Sequence, residues 1–259
     1  MATSITTAAS PRQPHHPFSS REPGDYNFFL TYIVLIWLAV LGGFIPRLIR
    51  HAVSGAAAYP ISIHVHAVIS VAWMALLTWQ TLLIRKREVR LHRKIGIAGA
   101  VLAGLVVLVG LWVPLSVESL ALGTPKSRPP FIAIELSNII EFAGLATAAI
   151  LARKQPSAHK RLILLATLSL TPAAFNRLIG LPLLLPLLGL GLWQTYIQIF
   201  AATNLMVLGM GLYDWSTRRQ LHPAWFLGAL WMFVGQVTAC WLYYAPGWKV
   251  IATSILRAW

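Results

Sequence analysis

Two histidines each stand beside a basic cluster at the start of a long apolar run. His92 lies in the segment LHRKIG, residues 91–96, and His159 opens the segment HKRL, residues 159–162. A neutral imidazole is a common iron ligand, and a porphyrin iron held from both faces needs one imidazole from each of two neighbouring helices. The two segments therefore predict a haem b whose axial ligands are His92 and His159.

The residues that follow His92 suit this chemistry. Gly96, Ala100 and Gly104 recur at four-residue intervals and form a stripe of small side chains that permits close approach of a macrocycle or of another helix. The basic residues expected to pair with haem propionates are Arg90, Arg93, Lys94, Lys160 and Arg161. The same residue types also describe an ordinary membrane boundary, where basic side chains anchor helix ends among headgroups.

A second polar group is expected near the other ends of the helices. His64 and His66 open one apolar run, and Glu135 and Glu141 lie in another that starts from the same side. Charged residues within a span cost about 2.5 to 3.5 kcal/mol to insert, so they face a partner or a wet cavity. We predict His66, His64 and Glu135 as ligands of an additional metal ion, and Glu141 as a proton-relaying, catalytic group.

The chemistry of this outer group stays open at this stage. A histidine and carboxylate set suits Zn, Fe or Cu, and it equally suits a second haem or a pocket for a quinol or ascorbate. Arg177 is expected to form an ion pair with Glu135. Asp214 and Arg218, four residues apart, are expected to form an exposed pair on one helix.

Composition decides which elements position these residues. With 57% apolar and 11% charged residues among 259, the chain cannot bury its apolar surface in a water-soluble core and must use lipid. Runs of about 20 apolar residues each predict a spanning helix. The seven predicted spans are Tyr26–Pro46, Ile61–Ile84, Ile95–Leu115, Phe131–Ala152, Leu162–Ile179, Gln194–Tyr213 and Ala224–Tyr244.

The remaining segments are expected to connect or flank these spans. Residues 1–25 are polar and predict a disordered tail ahead of a single transmembrane domain over residues 26–259. Residues 180–193 hold two prolines and predict an interfacial or re-entrant link. Pro172 predicts a kink in the fifth span, with neighbouring hydroxyl groups bonding the carbonyl that it frees.

Charge distribution predicts the orientation. With the amino terminus inside, fourteen of the 21 Lys and Arg residues fall on the inner side, so the positive-inside rule favours an inner amino terminus and an outer carboxyl terminus.

The formal charge of +14 is explained by loops that contact anionic lipid headgroups, and no nucleic-acid partner is expected. The lone Cys240 excludes an internal disulfide.

Two resemblances carry further expectations. The LHRKIG segment resembles the helix-opening Leu-His-x-x-x-Gly element of transmembrane b-type cytochromes of the ascorbate-reducible superfamily, which implies His92 and His159 as inner haem ligands. Over about residues 60 to 225 the chain resembles a group of uncharacterised bacterial multi-pass membrane proteins. The matching residues are His64, His66, Trp73, Gln80, His92, Gly96, His159, Lys160, Arg161, Tyr213 and Asp214.

The sequence thus predicts an all-α, seven-helix integral membrane protein of a bacterial inner membrane. The leading hypothesis is a haem b protein for electron transfer, a possible oxidoreductase component that meets a quinol or another small electron donor. One alternative is a transport protein for a small molecule or metal ion with an outer His and Glu cavity. Another is a non-catalytic scaffold subunit of a membrane complex. The fourth span lacks a histidine, which leaves no complete outer histidine pair for a second haem.

Overall fold

The computed structural model describes Phe18, residues 23–55 and residues 57–259, and the regular structure of that part of the chain is helical. The α-helices are α1 (Pro23–Val53), α2 (Ile61–Arg85), α3 (Val89–Ala121), α4 (Ile132–Leu151), α5 (Pro156–Ser169), α6 (Pro172–Phe175), α7 (Leu185–Leu188), α8 (Leu192–Arg218), α9 (Pro223–Tyr244) and α10 (Pro246–Ala258). The α1 helix begins within the predicted tail, whose other residues, except Phe18, lie outside the described residues.

In the part of the chain that the structure describes, six helices are long and apolar enough to cross a membrane, and a seventh crossing results if α5 and the bent segment after it form one span. In lipid, helices satisfy their own backbone polar groups, which explains why apolar runs of this length become helices. The all-α class is confirmed, and six or seven such helices indicate an integral membrane protein. The longest helices, α1 and α3, extend beyond the predicted spans because their ends hold polar residues that can lie among headgroups.

The bent span follows the predicted pattern at Pro172. The axis of residues 156–169 makes an angle of 43° with that of residues 172–188. Proline has no N–H to offer the carbonyl four residues earlier, and Thr171 Oγ1 donates to that carbonyl, on Leu168, at 2.7 Å. The chain then continues as a π-helical segment, Asn176–Leu184, and as α7. The predicted link is therefore helical as far as Leu188, because π-helical hydrogen bonds satisfy the backbone around Pro182.

The centre of the bundle is formed by α4, α5 and α9. Phe142, Ala149, Leu165 and Ala166 are fully buried there. Exposed apolar side chains such as Leu38, Ile97, Val101, Leu108 and Leu205 form the surface that faces lipid. Polar groups inside the bundle must find partners on neighbouring helices, and these groups define the sites below.

Short connections make successive spanning helices antiparallel, which defines two sides of the bundle. The N-terminal side holds the start of α1, the α2–α3 turn and the starts of α5 and α9. The opposite side holds the end of α1, the start of α4 and the bent span. Helix α10 lies on the opposite side, where Trp248 Nε1 donates to the carbonyl oxygen of Pro130 at 3.1 Å.

Candidate haem site and polar clusters

His92 and His159 are brought together on the N-terminal side. They lie in the first turn of α3 and of α5, and their ring centroids are 6.4 Å apart with an angle of 83° between the ring planes. Two imidazoles bound to opposite sides of one metal ion by bonds of about 2.0 Å would have ring centres about 6.3 Å apart. The observed separation of the ring centroids is close to this value.

A backbone contact determines which ring nitrogen of His159 carries a proton. Its Nδ1 lies 2.7 Å from the carbonyl oxygen of Ala149, on the last turns of α4. A carbonyl only accepts, so Nδ1 carries the proton and donates, which leaves Nε2 with a free lone pair in the neutral ring. A histidine held in this way through its other nitrogen is the usual arrangement of a metal ligand.

The side-chain amide of Gln80, on α2, contacts His92. With its nitrogen toward the ring, the amide donates to Nδ1 and to the carbonyl oxygen of His92 (3.2 Å), and its oxygen accepts the N–H of Gly96 (3.1 Å). With the amide turned over, its oxygen could accept a proton on Nδ1, but it would also face the carbonyl oxygen of His92, and its nitrogen would face the N–H of Gly96. The first orientation satisfies all of these groups and places the proton of neutral His92 on Nε2. The orientation of this one amide thus selects the tautomer of His92.

The small-residue stripe of α3 borders open space. A Cβ added at Gly96 or at Gly104 would meet nothing within 4 Å. The Arg93 side chain is exposed at the same end of the helix. Gly96 and Gly104 are exposed, so a planar group that reached the two imidazoles from outside would meet no side chain at these positions.

Arg161, which the sequence predicts as a propionate partner, has its guanidinium bound to groups of the protein itself. Nε donates to Asp214 Oδ2 at 2.7 Å, Nη2 pairs with the other carboxylate oxygen, and Nη1 donates to the carbonyl and hydroxyl oxygens of Ser157. Lys160 points away from the histidines as well, because it forms an ion pair with Asp25.

These pairs belong to a buried network on the N-terminal side, which joins α1, α5 and α8. Arg218 bridges the two carboxylates, with Nη2 2.6 Å from Asp25 Oδ1 and Nη1 3.3 Å from Asp214 Oδ1. Tyr213 donates to Asp25 at 2.8 Å. The predicted exposed pair of Asp214 and Arg218 is thus corrected: both are buried, because Asp214 faces Arg161 on another helix.

Phe18 and His222 border this network outside the spanning segments. The Phe18 ring lies under the guanidinium of Arg161 at 5.1 Å and packs edge-on against His222, with centroids 4.6 Å apart. Nδ1 of His222 accepts the N–H of Ala224 at 3.0 Å and caps α9. Burial, and then the positive charge of Arg161, lower the pKa of His222 to about 4.

The predicted metal ligands do not converge. Within residues 23–55 and 57–259, no group of three or more His, Cys, Asp or Glu side chains is arranged to hold a metal ion. His64 is exposed, whereas His66, two residues further along α2, is half-buried. Residues two apart point to nearly opposite faces of a regular helix, which separates His64 from the interior that Glu135 faces.

Glu135 and Arg177 do not form the expected ion pair, and they instead line a cavity on the opposite side. Arg177 Nη1 donates to the carbonyl oxygen of Ala173 at 2.7 Å, and its guanidinium stacks over Phe44 at 4.7 Å. These contacts hold the arginine toward α1 and away from the carboxylate.

Glu141 is buried between α4 and α9, with 1% of its surface exposed. A Cβ on Gly235 would lie 2.6 Å from its Oε1, so the carboxyl packs directly on the backbone of α9. Neither carboxyl oxygen has a hydrogen-bond partner in the described part of the chain. Glu141 is thus an isolated ionisable group inside the bundle.

Comparisons with protein-family models, with curated proteins and with solved structures find no match for this chain. Support for a function comes from the residues themselves. The His92 and His159 pair, the isolated Glu141 and the cavity beside Arg177 are the features that carry chemistry.

Proposed function

We propose that this protein binds a haem b between His92 and His159 and transfers electrons within or across the membrane. The observation that supports this best is the 6.4 Å separation of the two imidazoles. The bond from His159 Nδ1 to Ala149 adds to it, because it leaves Nε2 directed for ligation. A bound haem would supply one-electron exchange between ferric and ferrous iron.

The surrounding residues would hold and orient such a group. Ligation through Nε2 of His92 would require the proton on Nδ1, and the Gln80 amide would then have to reverse from the orientation that bonds the His92 carbonyl and the Gly96 N–H. Gly96 leaves space for the ring plane, and the exposed Arg93 side chain is placed to pair with a propionate. Arg161 and Lys160 contribute by fixing α5 against α1 and α8, which keeps His159 in position.

We further propose that the N-terminal side faces the inside of a bacterial inner membrane, because most Lys and Arg residues lie there. The carboxyl terminus is then outside. A quinol or another small donor would deliver electrons on the opposite side, and Glu141 would take up and release the linked proton. Replacement by the isosteric Glu141→Gln would then reduce the pH dependence of the haem reduction potential.

The proposal is tested by absorption spectroscopy of the full chain, purified in detergent after expression with haem supply. The wild type is expected to show the bands of a reduced b-type haem after dithionite. Both His92→Ala and His159→Ala should lose these bands. His64→Ala is the matched control, since this exposed histidine lies on the opposite side and should leave the bands unchanged.

Folding must be checked in the same samples, by circular dichroism and by gel filtration. A colourless wild-type protein that is folded and was expressed with haem would overturn the proposal. So would folded His92→Ala and His159→Ala variants that keep full reduced bands.

A further inference from the structure

A cavity of about 230 Å³ opens on the opposite side of the bundle, far from the histidine pair along the helix axes. Its walls come from the end of α1, the start of α4, the bent span and the start of α8. A second cavity of about 230 Å³ shares Arg47 and Arg177 with the first and extends it toward Arg50. We call the two together the arginine vestibule.

Three buried polar atoms of this region have no hydrogen-bond partner within the described residues. They are Arg177 Nε, Glu135 Oε2 and Asn138 Oδ1, all on residues that line the first cavity. A buried polar group left unpaired costs about 1 to 3 kcal/mol, so such groups are normally satisfied by water or by a ligand. The side chains that carry this donor and these two acceptors line one cavity, and a ligand with both an anionic oxygen and a hydroxyl group would satisfy the three atoms once the side chains turn toward it.

The charge of the vestibule favours a dianion. Four arginines line it (Arg47, Arg50, Arg128 and Arg177). Glu135 lies within it, and Glu118 is tied to its edge by accepting the backbone N–H of Arg128 at 3.0 Å. Four cations against two carboxylates leave a formal charge of +2, which a phosphate monoester, with about −1.5 to −2 at neutral pH, would balance.

The geometry of the donors also favours phosphate over carboxylate. Arg47, Arg128 and Arg177 approach the first cavity from three separate elements: α1, the α3–α4 connection and the π-helical segment. A phosphate ester presents oxygens in several directions and can bond guanidinium groups from each, whereas a planar carboxylate is bound by one fork.

We propose that the arginine vestibule is a binding site for a phosphate ester with neighbouring hydroxyl groups, the chemistry of glycerol phosphate. The arginines bind the phosphate, and Glu135 and Asn138 accept hydrogen bonds from the hydroxyls. Leu181 and Leu185 line the same cavity and provide an apolar wall. Glycerol 3-phosphate offers this chemistry as a dianionic monoester, and the headgroup of phosphatidylglycerol offers it as a diester of charge −1.

Isothermal titration calorimetry on the full chain in a neutral detergent tests the site. The probes are glycerol 3-phosphate, short-chain phosphatidylglycerol below its micelle concentration, and malate and short-chain phosphatidylcholine as comparisons. Binding of glycerol 3-phosphate identifies a solute site, and binding of phosphatidylglycerol alone identifies a lipid site. Either result supports the proposal if malate and phosphatidylcholine bind at least tenfold more weakly.

Variants locate the binding. Arg47→Gln and Arg128→Gln alter exposed side chains that the fold does not need, and each is expected to weaken binding about tenfold. Lys126→Gln removes the same charge from the same connection, outside the cavity, and should bind like the wild type. Arg177→Gln should abolish binding.

Two results would overturn the proposal: no binding of either phosphate compound, or equal binding by the wild type, Arg47→Gln and Arg128→Gln. Both readouts are independent of haem, so a colourless protein that binds glycerol 3-phosphate would reject the electron-transfer function and retain this site.

Discussion

Arg161 and Asp214, which are 53 residues apart in the sequence, form a buried bidentate ion pair between α5 and α8. Both side chains are almost fully buried, at 2% and 3% exposure. Breaking a buried pair by removing one partner leaves an uncompensated charge and costs about 3 to 5 kcal/mol.

Asp214→Asn is therefore expected to destabilise the protein by about 3 to 5 kcal/mol, because Arg161 and Arg218 would both lose a carboxylate. Thermal or denaturant unfolding in detergent, followed by circular dichroism, measures the change. Glu88→Gln, at an exposed acidic residue on the same side, is the control and should change stability by less than about 0.5 kcal/mol. Equal stability of the two variants would show that the network contributes little.

Gln80→Leu is expected to weaken haem retention about 10- to 100-fold, since the amide that fixes His92 is lost while both histidines remain. Transfer of haem to an excess of apomyoglobin, followed by absorbance, measures the loss. Trp79→Phe alters the adjacent, exposed residue and should retain haem like the wild type. Unchanged transfer from Gln80→Leu would mean that the amide does not orient His92.

His222 is expected to make stability depend on pH. Its pKa in the folded protein is lowered to about 4, chiefly by burial, from an ordinary value of 6.5. The unfolded chain therefore takes up a proton first, and stability is lost as the pH falls from about 6.5 to about 4. The charged groups that face the ring are Arg161, Asp214, Lys160 and Arg218.

His222→Asn separates this titration from the cap. Asparagine is a favoured N-cap and can accept the N–H of Ala224, but it does not titrate. Unfolding curves between pH 4 and pH 7 should therefore fall less steeply for the variant than for the wild type. Parallel curves would assign the acid sensitivity to other groups.

Gly43→Ala is expected to destabilise the packing of α1 on α6 by about 1 to 3 kcal/mol. A Cβ there would lie 2.5 Å from the carbonyl oxygen of Ala174, and backbone cannot move aside cheaply. The neighbouring Gly42→Ala is the matched control, because its Cβ would meet only a Leu178 methyl group at 3.2 Å. If both variants unfold at the same temperature, the close approach of the two helices carries no cost.

The sequence predicted the helices well because apolar run length and proline chemistry are local properties. The kink at Pro172 follows from one missing N–H, and its hydroxyl compensation was visible in the neighbouring Thr171. The π-helical segment Asn176–Leu184 and the α-helical turn that continues it to Leu188 were not predicted, since their hydrogen-bond patterns do not show in composition.

Side-chain partners were harder to predict than helices. The meeting of His92 and His159 followed from their equal depth at two helix starts. The ion pairs of Asp25 could not be predicted from the sequence, because its partners Lys160 and Arg218 lie 135 and 193 residues away. One feature of the sequence does point to a role for Asp25. The chain has only seven acidic residues, and an acidic residue at the start of a span needs a cationic partner. Arg177 stacks its guanidinium on the ring of Phe44 and forms no ion pair with Glu135. The positions of these residues in the sequence do not reveal that contact.

The long reach of Asp25 has a consequence for biogenesis. Its carboxylate is synthesised 193 residues before Arg218, and a ribosome adding about 5 to 20 residues per second takes about 10 to 40 s to cover that distance. The other cation that pairs with Asp25, Lys160, is synthesised 135 residues after it, so the acid has neither partner until then and lacks Arg218 until the end of the interval. Final assembly must therefore wait for α8, and insertion factors that shelter polar helix ends have time to act on the nascent chain.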